Sequence, residues 1–440
     1  MERISVADRM NRLPVTGFTR LVCGVIFIGW MCEAIDLGIT SFMLPTIREV
    51  FGMEATVAGS FSSIGFVGML VGSLFGGPLA DRIGRKPVIM VFMIVQGIGG
   101  LALALAPTVE FLFAARFVLG LGLGTQFPVA VAYLSESIPS SKRGRYVALF
   151  QLFLPIGMAI AALTVAIALE PLGWRWVYGI VVTTVFWVIA VWKLCPESAL
   201  WLESRGRLEE ADKVVTMWEA KARAVLPGGE LDPVVHVEQE RVSKSSYRDL
   251  FKGKQLLYTA VIVICFFLNM QSDYGLTTWL TSLFVSKGLT VTTATWFVGI
   301  GILGGIPAFF IASWAVEKIG RKKACALACL ITFIFGFLYG LSNTEIMIIV
   351  IGFFYNMGKY MIAMTFLVYM PELFETKLRS SGNGLASAGG RLGAILGAII
   401  MAWIFTSFGD VATFGYAATL VLVAGLLVLI FGKETKGKIF

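Results

Sequence analysis

The stretch GGPLADRIGRK, residues 76–86, decides the fold, because it returns in weaker form as AVEKIGRKK at residues 315–323. Within the two copies, DRIGRK aligns with EKIGRK at an offset of 236 residues. Three further pairs keep the same offset: Tyr133 with Tyr369, Glu136 with Glu372, and Arg143 with Arg379. Since chance rarely preserves one register over such a distance, the sequence predicts two homologous halves.

Long apolar segments lie on both sides of each copy. The 440 residues are 57% hydrophobic and 15% charged, with a mean hydropathy of +0.82, whereas soluble proteins carry about 25% charged residues. A helix needs about 20 apolar residues to cross a bilayer. Runs of this kind lie near 19–44, 54–80, 87–106, 109–137, 145–168, 174–195, 255–286, 292–316, 324–342, 345–373, 380–407 and 412–432. This pattern predicts an all-α membrane protein of twelve transmembrane helices in two homologous six-helix halves, and excludes β-barrel, disordered and disulfide-scaffold proteins.

A charged segment separates the two groups of spans. We predict three parts: an N-terminal six-helix half at 1–195, a cytoplasmic helical linker at 196–254 and a C-terminal six-helix half at 255–440. Lys and Arg concentrate in the loops on one side of the membrane. Only three fall in loops on the other side: Arg48, Arg175 and Lys287. Because cytoplasmic loops retain basic residues, both termini are expected in the cytoplasm, and the net charge of +8 reflects topology rather than nucleic-acid binding.

Motifs for metal, nucleotide or hydrolytic chemistry are missing from the sequence. The linker holds the only histidine, His236, and the six cysteines have no CxxC spacing, so no metal site is predicted. There is no P-loop, HExxH or GxSxG motif, and we expect neither ATP drive nor an enzyme. GLGLG at 120–124 lies inside an apolar run and predicts close helix packing rather than a nucleotide-binding loop.

The repeated loop GGPLADRIGRK resembles the signature loop of the major facilitator superfamily, and AVEKIGRKK resembles its second-half copy. Four further segments resemble the sugar-porter and organic-ion branch: ARFVLGLGLG (115–124), YLSESIPSSKRGR (133–145), PESALWLESRGR (196–207) and ETKG (434–437). The resemblance covers nearly the whole chain. It implies a transporter with an alternating-access cavity between its two halves.

Two segments narrow the resemblance within that branch. GWMCEAIDLGITSF (29–42) and GGRLGAILG (389–397) are most similar to proton-coupled carriers of aromatic acids, including niacin-type carriers and bacterial relatives of the synaptic-vesicle-glycoprotein group. The chain departs from the sugar porters at PESALWL and KETKG, which argues against a sugar substrate. It also has Glu33 where the aromatic-acid pattern usually has Asp.

Two acids in the first span are candidates for proton coupling. Glu33 and Asp36 are three residues apart and therefore share a helical face. An ionisable group at membrane depth costs at least about 2.5 kcal/mol, so each is a functional hypothesis. The resemblance places Arg116 opposite Asp36, where it would tune this acid. The alternative is a fixed ion pair that only joins two helices.

The substrate site is predicted around Arg391, whose planar guanidinium can grip a carboxylate with two hydrogen bonds. We expect the glycines beside it to clear space for the guanidinium. Lys359 is a second candidate, unless its long side chain reaches the interface. Asp273 is expected to pair with either cation until substrate replaces it. Polar and aromatic residues predicted to line the cavity are Gln126, Gln151, Asn269, Gln271, Tyr274, Trp279, Tyr355, Asn356 and Tyr360. Asn356, Lys359 and Tyr360 share one helical face.

Charges at the cytoplasmic helix ends are predicted to form a gate, because ion pairs there can latch the halves and break when they rock. They are Asp81, Arg82, Arg85, Glu136, Arg143, Glu317, Arg321, Glu372 and Arg379. The alternative is a static, solvated charged face.

The sequence as a whole predicts a proton-coupled symporter for a small organic anion, an aromatic or heterocyclic carboxylate. Alternatives are a facilitator, a proton-antiport exporter of an organic ion or sugar, or a non-transporting membrane sensor. The expected partners are the lipid bilayer, the small-molecule substrate and the proton. We expect a monomer in the bacterial inner membrane, with no cofactor beyond the proton gradient.

Overall fold

The structure is a computed structural model that describes residues 5–234, 247–375 and 378–436, so His236 lies outside the described residues. Within these ranges all regular structure is helical. The helices long and apolar enough to cross a membrane are Gly17–Phe42, Ala55–Ile83, Arg85–Ala104, Val109–Ser137, Ser140–Leu172, Trp174–Leu194, Gln255–Val285, Val291–Ile319, Arg321–Gly340, Glu345–Glu372 and Ser381–Phe431. The last one breaks at Gly409, where φ is 81° and ψ is −175°. It therefore supplies two spans, and the prediction of twelve is confirmed.

Some spans are interrupted, and shorter helices join or flank them. The sixth span contains a 3₁₀ turn at Thr183–Phe186, and the eighth consists of Val291–Ile302 and Gly305–Ile319. The short helices are Val6–Asn11, Leu44–Val50, Ala199–Ser204 and Leu208–Arg223, with 3₁₀ turns at Pro227–Gly229 and Tyr247–Phe251. The part of the predicted linker that the structure describes is thus largely helical.

Threonine side chains begin four of the spans. Thr16, Thr108, Thr290 and Thr344 each accept a hydrogen bond from the backbone N–H three residues later. Such a bond satisfies one of the amides that a helix leaves free at its start. These residues locate the beginnings of the first, fourth, eighth and tenth spans.

Glycines bring the second and fourth spans into backbone contact. A Cβ added to Gly68 would lie 2.4 Å from the carbonyl oxygen of Phe117, and one added to Gly124 would lie 2.0 Å from that of Met69. Only a residue without a side chain fits at such a distance. The prediction that GLGLG packs helices is confirmed.

An even number of spans brings both ends of the chain to one face of the bundle, the terminal face; the opposite side is the distal face. The halves touch toward the distal face. Ser63 donates a hydrogen bond to the carbonyl of Ile395 at 2.7 Å, and the rings of Phe66 and Tyr274 lie 5.1 Å apart. A Cβ on Gly299 would lie 2.5 Å from the Cβ of Ala162.

Toward the terminal face, the buried apolar residues of the first half cluster with one another and with the linker helix, not with the second half. One cluster joins the N-terminal helix, the linker helix and the first six spans, and includes Met10, Phe150 and Trp218. A separate small cluster around Val316 and Ala324 belongs to the second half. The bundle is therefore closed on the distal side and divided on the terminal side.

Candidate functional site

Asp36 is held inside the first half by a chain of amides. Gln126 of the fourth span donates to the side-chain oxygen of Gln96 in the third, and Gln96 donates to one carboxylate oxygen of Asp36. The other oxygen, Oδ1, has no hydrogen-bond partner, and the side chain is 3% exposed. Sequence analysis missed Gln96, although an amide in an otherwise apolar span is a detectable signal.

The alternative of a fixed ion pair between Arg116 and Asp36 does not hold in this structure, because the guanidinium bonds elsewhere. Its Nη1 donates to the hydroxyl of Thr40 at 3.2 Å, and its Nε has no partner. Gly65 makes room for the guanidinium, since a Cβ there would lie 2.5 Å from Nε. The pair is absent because Gln96 donates to the carboxylate of Asp36. The guanidinium of Arg116 donates instead to Thr40, which lies one turn further along the first span.

Lys359 and Asp273 form an ion pair in the second half. The Nζ of Lys359 lies 2.5 Å from Oδ1 of Asp273 and donates to the hydroxyl of Thr277 at 2.9 Å. It also lies 5.4 Å from the ring centre of Tyr360. Of the two pairings open to Asp273, the structure therefore contains the one with Lys359. The alternative that Lys359 reaches the interface does not hold in this structure.

Arg391 is the intramembrane cation that has neither an ion pair nor a hydrogen bond in the described part of the chain. It is partly buried in the eleventh span. Arg391 lies about three helical turns before Ala402, whose side chain packs at Gly59 of the first half. The guanidinium is therefore on the face of the eleventh span that is directed at the boundary between the halves.

The glycines beside Arg391 have a different role from the one predicted. A Cβ on Gly390 would lie 2.5 Å from the ring of Phe266, and one on Gly393 would lie 2.2 Å from the carbonyl oxygen of Phe267. They allow the eleventh span to pack on the backbone of the seventh. The expectation that they clear space around the guanidinium is wrong.

Glu33 is buried in the first half at 4% exposure, and its Oε2 has no hydrogen-bond partner. It lines a small cavity together with Trp30 and Gln126. Asp36 lies one turn further along the same helix. Among residues 5–234, 247–375 and 378–436, no group of three or more His, Cys, Asp or Glu side chains is placed to hold a metal ion.

The predicted cavity-lining residues separate into those at a cavity and those in packing contacts. A second small cavity is lined by Tyr355, Asn356, Lys359 and Tyr360 together with Thr277. The shared face of Asn356, Lys359 and Tyr360 is thereby confirmed. Asn356 also donates to the carbonyl of Gly352 at 2.8 Å.

The other residues predicted to line the cavity differ in the contacts that their side chains make. Trp279 is fully buried and donates to the carbonyl of Ala398 at 3.0 Å, so its ring packs the seventh span on the eleventh. Gln271 donates to the hydroxyl of Tyr416 at 2.8 Å. Asn269 is buried, and Oε1 of Gln151 is buried without a partner.

The charges of the predicted gate pair inside each half. Arg85 lies 2.9 Å from Glu136 and 2.6 Å from Asp81. The second half repeats this arrangement: Arg321 lies 3.1 Å from Glu372 and 3.7 Å from Glu317. Arg379 donates to the carbonyl of Pro371, Arg143 has a buried Nε without a partner, and Arg82 is exposed. No ion pair joins the halves among the described residues.

Two glutamates that the sequence analysis did not single out cap the repeated loops. Glu197 accepts from the N–H groups of Arg85 at 3.0 Å and Ser198 at 2.8 Å. Burial raises the pKa of Glu197. Glu434 accepts from the N–H of Arg321 at 2.9 Å. Burial raises the pKa of Glu434 too, but backbone N–H groups outweigh burial and leave it below its ordinary value. Both glutamates lie in the segments PESALWL and KETKG, and this matching position in the two halves could have identified them from the sequence.

Known transporters are similar to this chain over most of its length. The sequence pattern described as "Sugar (and other) transporter" matches residues 22–440. The niacin transporter NiaP of Acinetobacter baylyi is 34% identical over 442 residues, which is 99% of this chain and 98% of that protein. The 4-hydroxybenzoate transporter PcaK of Pseudomonas aeruginosa is 28% identical, covering 91% of this chain and 89% of that protein.

A similar solved structure is the xylose transporter XylE of E. coli in a partially occluded inward-open conformation. It has a TM-score of 0.74 and 18% sequence identity, covering 97% of this chain and 100% of that one. At this identity the likeness concerns the fold. Together with the family pattern and the twelve spans, it shows that the chain is a multi-pass membrane transporter, not an enzyme, and that it belongs to the sugar (and other) transporter family of the major facilitator superfamily.

Proposed function

We propose that this protein is a proton-coupled symporter that carries a small aromatic or heterocyclic carboxylate by alternating access. The proposal rests on the unpaired state of Arg391. Lys359 is neutralised by Asp273 at 2.5 Å, whereas Arg391 has no hydrogen-bonded or ionic partner in the described part of the chain. A cation at membrane depth without a partner costs at least about 2.5 kcal/mol. A substrate carboxylate that accepts two hydrogen bonds would offset this cost.

The surroundings of Arg391 suit an aromatic ring. Tyr274 belongs to the seventh span, which packs on the span of Arg391, and its ring packs edge to face on Phe66 at 5.1 Å. A flat substrate could pack against such rings. Niacin and 4-hydroxybenzoate, named for the two relatives, are both aromatic monocarboxylates, which supports the same substrate class.

We propose that the transported proton is carried in the first span, by Asp36, with Glu33 as the alternative carrier. Asp36 has one oxygen bonded by Gln96 and one without a partner, and the charge of Arg116 acts on it. A carboxylate in such surroundings can change its protonation state when its neighbours move. The proton gradient would then be the only energy source, with no cofactor.

We also propose that the terminal face is cytoplasmic, in a bacterial inner membrane, because basic residues concentrate there. The described conformation would then be inward-facing, since the halves meet on the distal side. In this conformation the charges of the predicted gate pair within their own halves. Partners across the terminal face would form only when the cavity opens outward. We expect the protein to act as a monomer.

Uptake by the purified protein in liposomes tests the substrate class. Labelled nicotinate and 4-hydroxybenzoate should enter, whereas nicotinamide, xylose and an organic cation such as choline should not. Arg391→Ala should abolish uptake of both carboxylates, because their charge loses its partner. Preferred uptake of xylose or choline would contradict the proposal. Carboxylate uptake that does not change when the proton gradient is removed would indicate a facilitator instead.

A further inference from the structure

Gln96 is fixed in the third span beside the carboxylate of Asp36. Its side chain is 3% exposed, its Nε2 donates to Asp36, and its Oε1 accepts from Gln126 of the fourth span. The fourth span also touches its backbone, since a Cβ on Gly122 would lie 2.8 Å from the Cα of Gln96. An amide side chain has one acceptor end and one donor end. Because Gln126 holds the acceptor end, Gln96 presents its donor end to the acid.

Among the residues that the structure describes, Gln96 is the side chain that hydrogen-bonds the carboxylate of Asp36. Arg116 of the fourth span donates to Thr40 instead. The fifth span meets this part of the first span with apolar side chains, packed at Gly38. The other titratable side chains whose charge acts on the carboxylate are Cys32, Glu33 and Tyr178. The amide is therefore the hydrogen-bond donor that favours the ionised form of Asp36.

We propose that Gln96 is the positioning residue of the proton site and that it favours release of the proton from Asp36 in the described conformation. An ionised carboxylate accepts a stronger hydrogen bond than a neutral acid does. The bond exists while the first span lies against the third. In an inward-facing protein it therefore favours release on the side to which the substrate is delivered. This inference rests on the proposed proton carrier and the proposed inward-facing conformation, and it adds the group that promotes release.

Labelling with dicyclohexylcarbodiimide tests the inference without any substrate, because this reagent modifies protonated carboxyl groups in apolar surroundings. Fragment mass spectrometry separates the label on Asp36 from the label on Glu33. In Gln96→Met, which has no donor, the midpoint pH of Asp36 labelling should rise by roughly one to two pH units, the equivalent of one charged hydrogen bond. Gln126→Met keeps the donor but frees the amide, so the rise should be smaller.

Gln255→Met is the matched control, because Gln255 lies at the start of the seventh span, in the other half. This variant should leave the midpoint of Asp36 labelling unchanged. The inference is overturned if neither Gln96→Met nor Gln126→Met raises the midpoint, or if Gln255→Met raises it as much as they do.

Transport by proteoliposomes gives a second measurement. Gln96→Met should retain exchange of nicotinate but show slow net uptake, because proton release has become less favourable. Net uptake should recover when the lumen is about one to two pH units more alkaline, whereas Asp36→Asn should not recover at any lumen pH. Net uptake by Gln96→Met that stays slow in an alkaline lumen would contradict the inference. Failure of the proposed carrier gives a different result: Asp36→Asn itself would still accumulate nicotinate.

Discussion

Three intramembrane cations have three different surroundings, and this contrast carries the functional argument. Lys359 has both an acid and a hydroxyl within 2.9 Å. Arg116 is 2% exposed and donates to Thr40 inside the first half. Arg391 alone of the three has no hydrogen bond in the described structure and faces the boundary between the halves. An uncompensated charge at that depth is expected to be retained for binding.

Replacing Arg391 by lysine keeps the charge but removes the planar fork of donors. We expect Arg391→Lys to weaken nicotinate binding by roughly tenfold to a hundredfold, because a charged hydrogen bond contributes about 1.5–3 kcal/mol. Binding to purified protein by calorimetry measures the change. Arg20→Ala, which removes an exposed cation near the start of the first span, is the control. If nicotinate and nicotinamide lose affinity equally in Arg391→Lys, the carboxylate is not the group recognised.

The sequence was sufficient to find the intramembrane charges but not their partners. Charged residues are rare at membrane depth, so each could be identified from composition alone. Pairing depends on which side chains reach each other after folding. Arg116 was expected at Asp36 and instead bonds Thr40, while Gln96, a neutral amide, takes its place.

The two repeated loops are turns that a glutamate caps. Gly84 has a φ of 114° and Gly320 a φ of 96°, a conformation that L side chains rarely adopt. Each glycine is followed by an arginine whose backbone N–H donates to a glutamate that follows the last span of the same half, Glu197 or Glu434. The internal sequence repeat thus reflects a repeated backbone turn.

Gly84→Ala should destabilise the protein by about 1–3 kcal/mol, the usual cost of a side chain in a backbone region reserved for glycine. The added Cβ would also lie 2.3 Å from the carboxylate of Glu197. Thermal unfolding in detergent measures this loss. Gly77→Ala is the matched control, because nothing lies within 4 Å of a Cβ at that position. Equal stability of the two variants would show that the turn tolerates a side chain.

The N-terminal helix Val6–Asn11 is held against the linker helix Leu208–Arg223 by ion pairs. Arg9 and Arg12 lie 2.9 Å and 2.7 Å from Glu219. Burial raises the pKa of Glu219, but the hydrogen bonds from both arginines outweigh it and leave the pKa below its ordinary value. A carboxylate with a lowered pKa stabilises the contact at neutral pH and loses this effect as pH falls through the lowered value.

Glu219→Gln should release the N-terminal helix at neutral pH. Loss of these charged hydrogen bonds should raise amide hydrogen exchange in residues 6–11 by at least about tenfold, since each bond contributes about 1.5–3 kcal/mol. Wild type should show the same change only below about pH 4.5. Glu209→Gln, an exposed acid on the same helix, is the control. Unchanged exchange in Glu219→Gln would mean that apolar contacts alone hold the helix.

At the scale of the whole molecule, the halves meet on the distal side and separate on the terminal side. Ser63, Phe66 and Gly299 contribute the contacts that close the distal side. Near the terminal face, the apolar cluster of the first half contains no residue of the second half's spans. A cavity that opens alternately needs two such faces with different contacts.

The twelve spans were predictable because each needs a long apolar run, and the predicted bounds lie close to the observed ones. The break at Gly409 was predicted as a loop between the runs 380–407 and 412–432. Which side is closed could not be predicted, since the same sequence must be compatible with both states. The packing of the linker helix on the first half could not be predicted either. Hydrophobic periodicity identifies an apolar helix face but not the surface that covers it.

Accumulation of labelled nicotinate by proteoliposomes shows whether a proton moves with the aromatic carboxylate. The liposomes are held under an imposed pH gradient, acidic outside, and protein-free liposomes are used to subtract passive entry of the neutral acid. Proton-coupled symport should give accumulation above this background that collapses with a protonophore. Asp36→Asn should retain nicotinate exchange but lose accumulation. Wild-type uptake that stops at equilibrium, with or without the gradient, would contradict proton-coupled symport.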